Sequence, residues 1–563
     1  MRIQASLTTT HVLAVLADAL ADALPRQIID PAHPDHGALV ADESGLPDAS
    51  HGASVPLIVA CAQLALAHTR GYAPAGVDVA ALLERATLAA DFIVRDQRPS
   101  GLIDLISTNY DSSPDTGFAV QALCTVLELA QPQRNHAAWA GLLQRLENFV
   151  RRAVGGIIAD GGFHTPNHRW VIASALAQAG ALLPDLPVAA TRDAYLAEGF
   201  DIDSEGMFLE RSVGVYDAVT NRSLLLLAAT CHAPGAIEAA GRNLLLNLQL
   251  LHADGTAETG LSRRQDYGLR RVPLGLAACY LQYAMQTGDP ACLAAAHMLW
   301  HTADRPQLGE LIWLAYQMLR DGDPPAVPPA LPDNFTLLLP HNGIWRIRRG
   351  ALSAAAFRDT SRLLTFCYGS AELSSIKISQ TYFGVGRFVA ETLETIEGGV
   401  RLHSAGRTNP RRPAYELPLG RPVAPHAWDT TMAERGLRPV PACESELLVC
   451  EVPGGLDLHY RTLAGLDRVT AQVALDFPPG GIWETDDTCV QPHAGQIFFL
   501  RRGYGVMRYG HHAIRVGPGA DAHRTWNMRH AEDAPDHVRV LLTFRTPIEH
   551  VIELRGVGRH STA

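Results

Sequence analysis

The sequence predicts an N-terminal (α/α) toroid, an incomplete barrel of helical hairpins, followed by a C-terminal antiparallel β-sandwich. Three observations predict it. The first 320 residues are Ala/Leu-rich with helical periodicity, polar glycine-containing stretches recur within them at even spacing, and after residue 334 the texture changes to alternating aromatic and β-branched segments. A chain of 563 residues is too long for one ordinary core. The expected division is therefore a toroid over 1–320, a linker over 321–334 and a sandwich over 335–563.

The opening MRIQASLTTTHVLAVLADALADALPRQ is apolar, but Asp18 and Asp22 interrupt it at helical spacing and no basic lead precedes it. It reads as an amphipathic first helix rather than a secretory signal. VAALLERATLAADFIV (79–94), WAGLLQRLENFVRRAV (139–154) and AIEAAGRNLLLNLQLL (236–251) carry the same period. Between such helices lie GLPDASHGAS (45–54), STNYDSSPDTG (107–117), GGFHTPNHRW (161–170), DSEGMFLERSVGVYDAVTNR (203–222) and DGTAETGLSRRQDYG (254–268), each leading into a second apolar helix. With Asp111, His168, Tyr216 and Asp266 as markers the steps are 57, 48 and 50 residues, the length of a helical hairpin with its return loop. Loops that recur once per hairpin fall at one end of the array. Arranged in a ring, they surround one mouth.

DGDPPAVPPALPDN (321–334) has five prolines in 14 residues and reads as the linker. Beyond it, segments 343–357, 362–369, 446–463, 496–510 and 537–544 alternate between Gly/Pro turns and read as strands of a sandwich.

Composition removes several function classes. A net charge of −11 disfavours a general nucleic-acid binder. No run of about 18 apolar residues exists to span a membrane. Nine cysteines without a C-x-x-C pair read as buried thiols of a reducing, cytoplasmic setting, not as a disulfide frame or a zinc site. Lys377 is the single lysine, so Arg carries nearly all positive charge and Schiff-base chemistry has one possible residue. No cofactor or metal is expected.

Asn167, His168 and Arg169 stand side by side where a helix begins. Capping needs only one short polar residue, and Asn serves well. Taken singly, Asn167 reads equally as a cap, His168 as a packed ring and Tyr216 as a rim tyrosine. Glu210 with Arg211, or Arg264 with Asp266, reads as a solvated ion pair. Taken together, amide, imidazole, phenol, guanidinium and carboxylate groups project from one end of the array, which is more varied than a plain loop rim.

An adjacent Asn-His at the start of one inner helix, with a Tyr one hairpin later, resembles the alginate lyase and heparinase II/III-like polysaccharide lyases. Asn167, His168 and Tyr216 match that pattern, while LPHNGIWRIRRGALSAAAFRD (339–359) and YGSAELSSIKISQTYFGVGRF (368–388) resemble strands of the same group's sandwich. Where those relatives commonly carry a His-x-His-x-Asp-like segment, this chain has Gly369, Ser370 and Glu372. The resemblance implies a lyase that removes the C5 proton of a uronic acid and breaks the bond at C4. It implies Asn167 as donor to the sugar carboxylate, with His168 and Tyr216 as base and acid in either order. Asn109, Tyr110, Arg169, Glu210, Arg211, Arg222, Glu258, Arg264, Asp266 and His341 then stand as substrate-binding candidates, arginine being suited to paired bonds with carboxylates. The partner is an acidic oligosaccharide or polysaccharide, imported oligosaccharides being favoured in a cytoplasm. An end-acting mode is expected if 203–222 and the Pro/Arg-rich 401–444 wall one side of the mouth. Two other readings stay open: a glycoside hydrolase using two of Asp115, Glu210, Glu258 and Asp266, and a carbohydrate binder without catalysis.

Overall fold

The computed structural model describes residues 6–72, 74, 76–325, 331–382, 385–406, 414–439 and 441–558. Two compact units divide them: Met1–Leu251 with Gly255–Leu331, and His252–Asp254 with Pro332–Ala563. Parts of the Pro-rich stretch (326–330) and of the 401–444 segment (407–413 and 440) lie outside the described residues.

Twelve α-helices among the described residues build the first unit: α1 (Thr9–Ala23), α2 (Ser54–Thr69), α3 (Val79–Asp96), α4 (Ser113–Leu129), α5 (Ala137–Asp160), α6 (Pro166–Leu182), α7 (Ala189–Ala197), α8 (Tyr216–Cys231), α9 (Ala236–Leu250), α10 (Leu274–Thr287), α11 (Pro290–Thr302) and α12 (Leu308–Asp321). Five hairpins, from α2 with α3 to α10 with α11, are completed by α1 packing against α12. Odd and even helices differ in pattern, and the pattern sets their layer. In α3 the apolar residues Leu82, Leu83, Ala86, Ala90 and Ile93 are buried and Glu84 is exposed, so it presents one face to the interior. In α2 every residue from Ser54 to Ala67 is buried, as is every one from Asn167 to Ala179 in α6. A helix apolar on all sides must be covered on all sides. The even helices accordingly form an inner ring in chain order, with α12 returning against α2. Gly117 permits the close approach of α4 to α6, since a Cβ there would lie 3.2 Å from Val171 Cγ1. Gln121 crosses the ring to donate to Ser174 and, at 2.9 Å, to Ser223.

The five polar stretches run into α2, α4, α6, α8 and α10, so they share one end of the toroid. Before α4 a hairpin of Ile103–Leu105 with Asn109–Ser112 carries Asn109 and Tyr110 at the start of its second strand. No helix of the described residues is long and apolar enough to cross a membrane. All nine cysteines are free thiols, Cys489 being the exposed one.

The second unit is a β-sandwich of two nine-stranded sheets. One runs from Asn334–Leu339 through Ile344–Arg349, Leu352–Phe357, Leu364–Tyr368 and Ala371–Tyr382 to Thr470–Phe477 and Val538–Arg545. These strands pair antiparallel, and only the short edge strand Ile497–Phe499 lies parallel to its neighbour. The other pairs antiparallel throughout and centres on Glu444–Val452, Gly455–Ala464 and Glu549–Gly558. Alternate residues such as Phe366, Ile376 and Val473 of the first sheet and Val449, Leu458 and Ile552 of the second form the core.

Candidate active site

At the start of α6 the cap position belongs to Thr165, with Pro166 in the first turn, so Asn167 lies inside the helix. This corrects the reading of Asn167 as a cap. Its amide nitrogen donates instead to Glu210, 2.9 Å from both Oε1 and Oε2, and lies 3.1 Å from Thr165 Oγ1. Its backbone N–H points at the same carboxyl, 3.2 Å from Oε2. Both amide hydrogens are thereby engaged, while Asn167 Oδ1 is buried without a partner. Burial pushes the Glu210 carboxyl up, against the bonds from Asn167 and the charge of Arg264, which hold it down.

Arg264 extends the network. Its Nε stands 3.4 Å from Glu210 Oε1, an ion pair too poorly aligned to count as a hydrogen bond. The same guanidinium lies 4.5 Å from the centre of the Tyr216 ring. Tyr216 opens α8, its N–H given to Ser212 Oγ at 3.1 Å, and its hydroxyl meets no hydrogen-bond partner among the described residues. Asp266 fixes these loops, accepting from Ser212 Oγ at 2.8 Å, from the Gly214 N–H at 3.0 Å and from Ser262. Asn167, Glu210, Arg264 and Tyr216 are thus one continuous set drawn from three loops.

His168, next along α6, is buried, and its Nδ1 has no partner. Burial, helped by the neighbouring His164 and by the charges of Arg264 and His51, lowers its pKa to about 4 against the opposing charge of Asp115. The ring is therefore neutral at physiological pH. Its centre lies 4.7 Å from that of His164 and 5.9 Å from that of Phe118. Asp115 accepts from Asn109 at 2.9 Å and Ser112 at 2.6 Å, and its Oδ1 is 3.8 Å from His51 Nδ1. His51, stacked on Phe118, was not singled out from the sequence. Its signal was available, as the one imidazole in the first of the five polar stretches.

Other candidates are placed differently. Arg169 turns to Glu198 at 2.8 Å and Asp201 at 3.4 Å and lies over Trp170. Glu258 is buried and accepts the Gly260 N–H at 2.8 Å. Arg211 is half-buried with a left-handed backbone, φ 53°. Tyr110 is exposed, its hydroxyl donating to Ile106 O. Arg222 lies over Trp313 inside the ring. His341 belongs to the sandwich unit, exposed in the turn after Asn334–Leu339. Among the described residues no group of three or more His, Cys, Asp or Glu is arranged to hold a metal ion.

With this geometry the chain is similar to a Paenibacillus xanthan lyase, at TM-score 0.53 and 10% identity over 98% of this chain and 57% of that one. It is also similar to a Streptomyces coelicolor chondroitin AC lyase solved in complex with chondroitin sulphate, at TM-score 0.51 and 12% identity over 98% of this chain and 80% of that one. The chain thus spans less than two thirds of the length of the xanthan lyase. No family model and no curated protein matches the sequence. At such identities the likeness establishes the fold, an α/α toroid followed by a β-sandwich.

Proposed function

We propose that the toroid mouth is the active site of a glycan lyase that cleaves an acidic oligosaccharide or polysaccharide by β-elimination at a uronic acid. The observation that carries this reading is the set Asn167, Glu210, Arg264 and Tyr216: donors already gathered on a carboxyl group, ending at a phenol whose hydroxyl has no hydrogen-bond partner among the described residues. Two further supports are the Asn-His…Tyr pattern of the alginate lyase and heparinase II/III-like group and the fold shared with a xanthan lyase and with a chondroitin AC lyase solved in complex with chondroitin sulphate.

In the proposed mechanism the uronate carboxylate enters beside Glu210. Two carboxyl groups in one place hold a proton between them, and Glu210, raised by burial, keeps that proton and donates it as a hydrogen bond to the sugar carboxylate. The negative charge of the sugar carboxylate is thereby offset, and Arg264 adds its positive charge. Neutral His168 takes the C5 proton, and the bond's electrons pass into the enediolate of the carboxyl group. When they return to form the C4–C5 double bond, the C4–O bond breaks. The Tyr216 hydroxyl protonates the departing oxygen, and proton transfer back from His168 to Tyr216 resets the site.

Hydrolysis is the weaker reading. Asp115, Glu210, Glu258 and Asp266 are all buried and each already accepts internal donors, whereas a hydrolase needs one acid and one base facing the bond. Incubating the protein with a panel of uronate-containing glycans separates the readings. Elimination leaves a conjugated double bond that absorbs ultraviolet light, hydrolysis leaves new reducing ends without it, and neither product appears with a binder. We also propose a reducing, cytoplasmic setting and oligosaccharide substrates, on the nine free thiols.

A further inference from the structure

Arg222 is the seventh residue of α8, which sets it about 9 Å below Tyr216 along the helix axis. Its guanidinium lies 4.2 Å from the ring centre of Trp313, the sixth residue of α12. α10 separates α8 from α12 in the ring, so this contact crosses the interior. The arrangement contrasts with the other arginines of the mouth. Arg169 has Glu198 and Asp201, and Arg264 has Glu210. Arg222 meets no carboxylate among the described residues, and its Nε is buried without an acceptor. Burial lowers its pKa to about 10, with only the Cys279 thiol opposing. It still keeps partial contact with solvent.

His51 lies within electrostatic reach of Arg222, whose charge is a minor contribution to the lowering of its pKa. Its Nδ1 is likewise buried without a hydrogen bond, since Asp115 Oδ1 at 3.8 Å is out of range. Burial holds the imidazole below its ordinary value, so it is a neutral group able to offer an N–H. An enclosed cation without a counter-charge is strongly destabilising on its own. It is retained at low cost where an anion arrives to pair with it. Trp313 holds the guanidinium plane from one side and leaves its edge free for a forked pair of bonds.

We propose that Arg222, with Trp313 against its face, is a subsite for the anionic substituent of a sugar, a carboxylate or a sulfate, below the point of cleavage. This rests on the lyase reading for the identity of the chain, but the binding it predicts needs no turnover. A terminal acidic sugar seated in this subsite gives the end-acting mode a structural cause.

The test is thermal denaturation of the full chain titrated with glucuronate, glucose 6-sulfate and glucose. Wild type is expected to show a saturable rise in Tm with the acidic sugars and none with glucose, and the tighter of the two acids names the natural substituent. Arg222→Met should weaken that response about tenfold or more, the worth of a charge-assisted pair, while its ligand-free Tm equals or exceeds that of wild type. Arg222→Lys, which keeps the charge and loses the fork, should fall between them, and it stands in if the Met variant fails to fold. No saturable response to either acid in wild type, or an undiminished response in the variants, overturns the proposal. The two readings fail separately. Acid binding lost in Arg222→Met, with no glycan ever eliminated, refutes the lyase and leaves the subsite; elimination at unchanged KM in that variant refutes the subsite and leaves the lyase.

Discussion

Glu210 holds the hydrogens that Asn167 was expected to offer a substrate, and this moves the first catalytic question by one residue. If a protonated Glu210 serves the sugar carboxylate as a hydrogen-bond donor, an amide in its place still donates. Glu210→Gln is then expected to keep kcat/KM within about tenfold of wild type, while Glu210→Ala loses about 10²- to 10³-fold, the worth of a donor to a developing oxyanion. Kinetics on the glycan that gives ultraviolet product decide it, and a Gln variant as inactive as Ala would require an ionised carboxylate instead. His168 yields a second expectation. Its pKa is about 4 in the folded chain against 6.5 when free, so between those values the unfolded chain binds the extra proton. Stability therefore rises with pH across that window and is lost as pH falls through it, by about 3 kcal/mol in full. His168→Gln should flatten the part of the Tm-against-pH curve that His51, His297 and His537, lowered in the same direction, do not supply. The acid limb of kcat/KM should likewise fall near pH 4 rather than 6.5, and a limb at the ordinary histidine value would remove His168 as the base.

At the scale of elements, the inner helices were legible because two signals coincide in each, a polar glycine-containing stretch and an apolar run after it. The junction before α12 was not, since residues 303–307 are short and contain no glycine. Side-chain partners were hidden for a different reason: Glu210 reaches Asn167 across 43 residues and Glu198 reaches Arg169 across 29. No local pattern encodes such pairs. Thr165-Pro166 did announce the true cap, because proline favours the first helical turn and moves the cap back before Asn167. Hairpin packing also makes a prediction. Gly156, within α5, faces the loop that enters the Asn109 hairpin, and a Cβ there would lie 2.7 Å from Ser100 O and 2.9 Å from Leu102 Cδ2. Gly156→Ala gains about 1 kcal/mol of helix propensity but must push that loop outward, for a net loss of about 1–2 kcal/mol. Denaturant unfolding checks this, and a stabilised variant would mean that the loop yields freely.

Across the whole molecule, the two units differ in how far each is closed on itself. The sandwich owns a core drawn from both of its sheets, with Trp345, Leu373 and Leu475 on one side and Leu402, Leu447 and Leu554 on the other. A core of that kind lets a domain fold alone, so residues 332–563 are expected to unfold in one cooperative transition when expressed separately. That fragment lacks His252, which joins the same unit from far earlier in the chain and whose Nδ1 lies 2.7 Å from Ser353 Oγ. Ser353 is buried, so the fragment carries a hydroxyl deprived of its partner, at a cost of about 1–3 kcal/mol. Removing the hydroxyl should then recover stability. Ser353→Ala is expected to raise the Tm of the fragment, and in the full chain, where it removes the hydrogen bond between His252 and Ser353, to lower it. Opposite signs in the two backgrounds are the signature of this contact. The same sign in both would show that His252 does not support the sandwich, and a fragment without a cooperative transition would show that the sandwich core is not sufficient by itself.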